Sequence, residues 1–256
     1  MGRGPVVAKR RDAVNAVKGK VFSIHAKLIA IAAQSGGDPD QNPGLAAAIY
    51  KAKKEGVPND NIERAIKKGT GEDKEAAQIV GIMYEGYAPG GVALVVNVLT
   101  DNKNRTVASM RHIFTKYGGN MGESGAVAWM FKRKGIIFID PAKHDFESIE
   151  ALTYETDAED ICMEASYIKI TTGLDDFSSV ENFFINNNIA LFESKLDYIP
   201  DTDTEITEFE KALKFTKMME AFNEDEDVEW VATNEVISDE LQKEVDAFIE
   251  KNTFKT

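Results

Sequence analysis

The chain has 256 residues, 43% hydrophobic and 29% charged. That composition leaves room for two or three domains with real cores and excludes a disordered chain. No apolar run approaches the ~20 residues needed to cross a bilayer, and the start Met1-Gly2-Arg3-Gly4-Pro5 has no apolar signal core, so a cytoplasmic protein away from membranes is expected. The lone Cys162 excludes an intrachain disulfide and reads as a buried structural thiol between Ile161 and Met163.

The net charge of −13 is unevenly spread. Residues 1–71 hold 13 Lys and Arg against 6 Asp and Glu, while the remainder holds 17 against 37. This split suggests a basic module for a polyanion, carried by acidic domains that stay soluble.

Residues 1–8 read as a flexible arm. From Lys9 to Ala33 the pattern is helical, with Val14, Val17, Val21, Ile24, Leu28 and Ile31 on one stripe and a break expected near Gly19. Asn42 as cap with Pro43 at the first position starts a second helix, ending at Gly56. Asp60 with Glu63 makes a capping-box pattern for a third, ending at Gly69. Helices this short need partners, so residues 9–69 read as one helical unit.

Strands are expected at Ile79–Glu85 and Val92–Leu99, a helix at Lys103–Tyr117 and a strand at Ala126–Lys132. Residues 136–199 then read β-α-β-β-α-β, the order of a ferredoxin-like sheet. A helix over Glu205–Phe222, a strand at Val228–Ala232 and a weak helix at Asp239–Lys251 follow. The expected class is α+β with three domains. A small helical bundle at 1–71 precedes two ferredoxin-like domains, and the third (135–201) is inserted into the second (79–134 plus 202–240).

Three turn-rich motifs surround the buried strand at Val92: Tyr84-Glu85-Gly86-Tyr87-Ala88-Pro89-Gly90-Gly91, Asp101-Asn102-Lys103-Asn104-Arg105-Thr106, and Gly118-Gly119-Asn120-Met121-Gly122. Together with Lys18-Gly19-Lys20-Val21-Phe22 and Gly37-Asp38-Pro39, in this order and over most of the chain, they closely resemble the signatures of the YebC/PmpR family. The resemblance implies a three-domain fold and a regulator of gene expression. It implies two versions: a transcriptional regulator on promoter DNA, and a ribosome-associated translation factor on ribosomal RNA that helps with difficult sequences such as proline runs. The family's mitochondrial members are translational activators of cytochrome c oxidase. One departure is visible: Ile24-His25-Ala26 follow Phe22 where basic residues are usual, and Lys27 stands where an arginine is more typical. Lysine offers a point charge without the bidentate fork.

The candidate nucleic-acid-binding residues are Arg3, Lys9, Arg10, Arg11, Lys18, Lys20, Lys27, Lys53, Lys54, Arg64, Lys67 and Lys68, with Lys103, Arg105 and Arg111 in and after the second motif. Their clustering suits phosphate neutralisation along a backbone. For Arg105 the alternative is turn chemistry, pairing with Glu85 or Glu123. Tyr84–Gly91 fits neither the Walker nor the dinucleotide pattern and reads as a tight strand connection. His25, His112 and His144 lack metal-ligand spacing, and nothing singles out a catalytic pair or an activated nucleophile. The expectation is a non-enzymatic regulator without metal or cofactor, a monomer that binds nucleic acid (DNA or ribosomal RNA, with the ribosome as a further partner). No base-reading helix-turn-helix is recognisable, and the acidic remainder would resist lying along bare duplex, which favours RNA. A protein-interaction scaffold whose basic region is incidental is the alternative.

Overall fold

The structure, a computed structural model, describes residues 5–73, 76–164 and 166–253, with the side chains of residues 5–17 and 253 outside that description. Helix α1 (Pro5–Ala33) runs without the break expected at Gly19. A lone glycine costs a helix interior only about 1 kcal/mol, and here the helix runs on in both directions. The start of α1 at Pro5 also replaces part of the flexible arm expected there. Helix α2 (Pro43–Lys54) opens as its sequence requires, with the Asn42 side chain accepting the Leu45 N–H at 3.0 Å. Helix α3 (Asn59–Thr70) follows Pro58 and has no side-chain cap, so the Asp60–Glu63 box is not used: the helix starts two residues too early for it. Ile29, Leu45, Val57, Ile62 and Ala65 form the core of this helical region. Gly69 lets α3 approach the Ala30 carbonyl of α1 closer than any side chain permits.

A hairpin follows. Strands β1 (Val80–Tyr87) and β2 (Ala93–Thr100) pair antiparallel, from Val80 opposite Thr100 to Tyr87 opposite Ala93. Helix α4 (Lys103–Lys116) then crosses to β3 (Asn120–Met121), which pairs with Gly86 and Tyr87. A much later strand, Val228–Thr233, closes the other edge beside β2. Leu94, Val96 and Val98 face Met110 and Phe114 of α4 and, from the helix at Phe209–Glu224, Phe215, Met218 and Phe222. Phe114 and Phe222 meet edge to face at 5.5 Å. On the opposite face Leu99 and Ile79 pack against Ala30 of α1.

Residues Ala128–Asp203 form a separate compact unit. It contains β4 (Phe131–Ile139), α5 (Phe146–Thr153), β5 (Ala158–Glu164), β6 (Tyr167–Thr172), α6 (Phe177–Asn186) and β7 (Leu191–Pro200). The sheet order is β5-β6-β4-β7 with every neighbouring pair antiparallel, which is the ferredoxin-like order. Ile137, Ile139, Ile168 and Ile170 pack on Ile149, Val180 and Phe184 from the two helices. The chain then returns to the first unit. There β8 (Thr204–Ile206), α7 (Phe209–Glu224) and β9 (Val228–Thr233) precede β10 (Glu235–Ile237) and α8 (Asp239–Thr253). Strands β8 and β10 form a parallel pair.

The structure departs from several expectations. The helical region keeps its own core, and α1 also lies on the first sheet, through Ala30 and through ion pairs described below. The first sheet has the order β3-β1-β2-β9, whose two central strands are a hairpin, so it is not ferredoxin-like. One strand, Phe131–Ile139, replaces the two expected at Ala126–Lys132 and Ile136–Ile139, and the unit boundary falls after Val127 rather than after residue 134. The strand passes unbroken through Gly135, whose missing side chain makes room for Phe177. Glu205 and Ile206 lie in β8 rather than in the following helix. Cys162 is exposed, because it sits on edge strand β5 opposite Lys169, while its neighbour Ile161 faces the core side with Ile170.

Candidate nucleic-acid interface

The cations divide into those that face solvent and those turned inward. Lys53 and Lys54 end α2, and both are exposed. Arg64, Lys67 and Lys68 follow at positions i, i+3 and i+4 of α3, which puts them on one face. Arg64 is exposed; its Nε donates to the Asp60 carbonyl at 3.2 Å, and its guanidinium also bonds the Asn61 side chain. Lys67 is exposed, and Lys68 lies 3.5 Å from an Asp101 carboxylate oxygen. Lys18 is exposed on α1, and Lys103 and Arg111 are exposed on α4. Arg3 lies outside the described residues, as do the side chains of Lys9, Arg10 and Arg11 on α1.

Lys20 and Lys27 turn inward instead. The Lys20 ammonium donates to the Asn223 carbonyl at 2.6 Å, and burial lowers its pKa against the pull of Asp225. Lys27 donates to the Glu226 carbonyl at 2.8 Å and to Asp227 Oδ1 at 2.7 Å. Arg105 reaches the same carboxylate at 2.9 Å and Asp101 at 3.3 Å, and the Asp227 hydrogen bond raises its pKa. The hydroxyls of Thr106 and Thr100 donate to Asp227 Oδ2 at 2.8 and 3.3 Å. Asp227 is buried, which alone would push its carboxyl up. The bonds from Lys27, Arg105 and Thr106 outweigh that and bring it down to about 2.

Arg105 therefore pairs with Asp227 and Asp101, not with Glu85 or Glu123. Glu85 is buried, and its carboxylate accepts the backbone N–H groups of Gly125 and Val127 at 2.7 and 2.8 Å. Asn102 is the cap of α4, accepting the Arg105 N–H at 3.0 Å.

The glycine-rich motifs are turns of the sheet. Ala88 N–H donates to the Val92 carbonyl at 2.8 Å across the β1–β2 connection, where Gly90 and Gly91 have φ of 88° and 81°. A side chain at Gly119 would press on the Tyr87 carbonyl at 2.7 Å, so β3 reaches β1 only with glycine there. Tyr84 packs on the core, while Tyr87 is 41% exposed. No group of three or more metal-ligating side chains occurs among the described residues.

A cleft of about 970 Å³ lies between α1 and α3. Its lining joins the apolar Phe22, Ala26, Ala65 and Ile79 with the cations Lys27, Arg64, Lys67 and Lys68 and the carboxylates Glu72, Asp73 and Asp101. The sequence pointed to its cations. It did not show which cations Asp227 holds, because they meet only when α1 lies on the sheet, nor that Phe22 and Ala26 meet Ala65, which needs α1 packed on α3. The acidic loop Asn223–Asp227 was visible, but an acidic loop alone does not reveal which cations it holds.

Residues 5–72 match the model of the TACO1/YebC protein N-terminal domain, and residues 79–235 match that of the TACO1/YebC second and third domain. A probable transcriptional regulatory protein of Halothermothrix orenii is 42% identical over 231 residues, covering 89% of this chain and 91% of that protein. One from Treponema denticola is 45% identical over 225 residues, covering 88% and 90%. The crystal structure of a conserved hypothetical protein from Aquifex aeolicus superposes with a TM-score of 0.75 at 38% identity, covering 86% of this chain and 91% of that one. With both family models matched over residues 5–72 and 79–235, this chain is a member of the TACO1/YebC family.

Proposed function

We propose that the chain is a non-enzymatic regulator of gene expression that binds nucleic acid through its helical region, with structured RNA of the ribosome as the target. One observation carries this reading. In a chain of net charge −13, exposed cations gather on α2 and α3 at Lys53, Lys54, Arg64 and Lys67. A polyanion is attracted to that region and repelled by the rest.

The form of α3 supports backbone contact over base reading. A recognition helix reads bases from its N-terminal residues, and the first turns of α3 carry Asp60 and Glu63, which repel phosphates. Its cations, Arg64, Lys67 and Lys68, come only after those carboxylates, from the middle of the helix onward. The transcriptional reading draws on the names of the relatives, which are called probable transcriptional regulatory proteins.

Sedimentation of cell lysate through a sucrose gradient tests the two. The RNA reading expects the protein to travel with ribosomes at low salt and to leave them at high salt or after Lys53→Ala with Lys54→Ala. A protein that stays at the top of the gradient yet shifts a duplex DNA with sequence preference overturns the ribosomal reading in favour of the promoter one. A protein that does neither leaves the scaffold alternative.

A further inference from the structure

We infer that the cleft between α1 and α3 holds an unpaired nucleotide of the bound RNA, with its base on the apolar lining and its phosphates on the α3 cations. This rests on the nucleic-acid reading and adds to it a place where the strand is read.

The cleft joins three chemistries that a nucleotide also joins. Phe22 and Ala26, one helical turn apart on α1 and only partly buried, are the apolar side chains of the lining that can meet a base, with the buried Ala65 of α3 behind them. Aromatic and apolar surfaces of this kind receive splayed-out bases in single-stranded RNA recognition. Arg64 and Lys67 line the same cleft, both exposed, as cations of the kind that pair with phosphates. Asp101 supplies carboxylate oxygens to the same lining. Arg105 holds its Oδ1 at 3.3 Å, while the Lys68 link to Oδ2 is long, at 3.5 Å, so Lys68 can turn to a phosphate and free that one oxygen as an acceptor.

Size and charge exclude the simpler occupants. At about 970 Å³ the cleft is far larger than a lone phosphate needs, and falls within the range of small-molecule sites. A paired base cannot reach an apolar lining without leaving its stack. Carboxylates accept hydrogen bonds from exocyclic amino groups, as Asp and Glu do from cytosine N4. The site therefore favours adenine, cytosine or guanine over uracil, which has no such donor.

The test uses the full chain and short RNA hairpins with an adenine loop, a uridine loop, or the same stem extended to a full duplex. Ser23 lines the cleft beside Phe22, so Ser23→Tyr fills it without changing charge. The expected result is a loss of about tenfold in affinity for the adenine loop, with duplex affinity unchanged. Lys53→Ala with Lys54→Ala, outside the cleft, should weaken all three RNAs alike. A measurement on the unaltered protein stands beside the variants: 2-aminopurine in the loop should brighten on binding as it leaves its neighbours. Free AMP, which lacks the flanking phosphates, should not displace the loop.

Unchanged loop binding by a folded Ser23→Tyr protein, no brightening, equal affinity for adenine and uridine loops, or displacement by AMP at concentrations near that of the RNA would each overturn the assignment while nucleic-acid binding stands. Failure of the unaltered protein to bind any of these RNAs would remove the functional reading and the cleft assignment together.

Discussion

Lys27 Nζ and Asp227 Oδ1 lie 200 residues apart in sequence and 2.7 Å apart in space. Both side chains are largely withdrawn from water, at 15% and 9% exposure, and the Arg105 guanidinium with the Thr100 and Thr106 hydroxyls also bonds the carboxylate. The pair ties α1 to the sheet. Removing one partner of such a pair leaves the other charge buried, typically a loss of about 3 kcal/mol. Asp227→Asn should lower the urea midpoint accordingly. A loss below about 1 kcal/mol would place the pair among ordinary surface bridges.

The same carboxylate sets an acid limit. Its folded pKa of about 2 lies below the ordinary 3.8. The unfolded chain therefore takes up this proton first as pH falls. The stability Asp227 contributes is whole above the ordinary pKa, and declines as pH drops through that value towards 2. Urea midpoints measured across this range should fall less steeply for Asp227→Asn than for the unaltered chain.

Gly69 sits where α3 meets the Ala30 carbonyl, and an added Cβ would also stand 2.7 Å from the Ala33 side chain. Backbone does not yield as a flexible side chain does, so Gly69→Ala must push the two helices apart. A loss of about 2 kcal/mol is expected, despite alanine's better helix propensity. Thermal melting checks this, and an unchanged or higher midpoint would show that the helices shift freely.

Cys162 is exposed yet should react slowly. Burial of its sulfur and the nearby Asp160 raise the thiol pKa, Lys169 notwithstanding. Less thiolate is present at neutral pH than in a free cysteine. Labelling by iodoacetamide should be slower than for a cysteine peptide and should accelerate at higher pH. A rate equal to the peptide's at neutral pH would contradict the raised pKa.

The cations should separate by role. Lys53→Ala with Lys54→Ala should leave stability unchanged and reduce the salt slope of RNA binding by roughly 0.7 for each phosphate no longer neutralised. Lys27→Ala should act mainly on stability, since its ammonium is already held by Asp227 and the Glu226 carbonyl. Titrations at several salt concentrations, set beside urea curves, would show whether the division holds.

What is legible in the sequence follows from what is local. The Asn42 cap, the run of Val and Leu in β2 and the alternation of the inserted unit all depend on neighbours within a few positions, and they are readable. Strand β3 is not, because Asn120 and Met121 have no strand pattern of their own and pair only because Gly86 and Gly119 allow close approach. The order of the first sheet is hidden for a related reason: strand and helix succession alone does not say that a hairpin occupies the centre. Among the cations, nothing local distinguishes Lys27, held against the sheet, from Lys67, open to a ligand.

The insertion of the ferredoxin-like unit has a consequence for synthesis. All of its strands lie between residues 128 and 203, so it has every pairing partner as soon as that stretch emerges. The first sheet must wait. Its edge strand β9 pairs Thr233 with Leu94, and Asp227 comes just before that strand. Chains emerge at about 5–20 residues per second, so the hairpin spends several seconds with one side of β2 uncovered and Lys27 unpaired. During that interval the half-made sheet is open to wrong pairing, and the last-made segment seals both its edge and its helical partner.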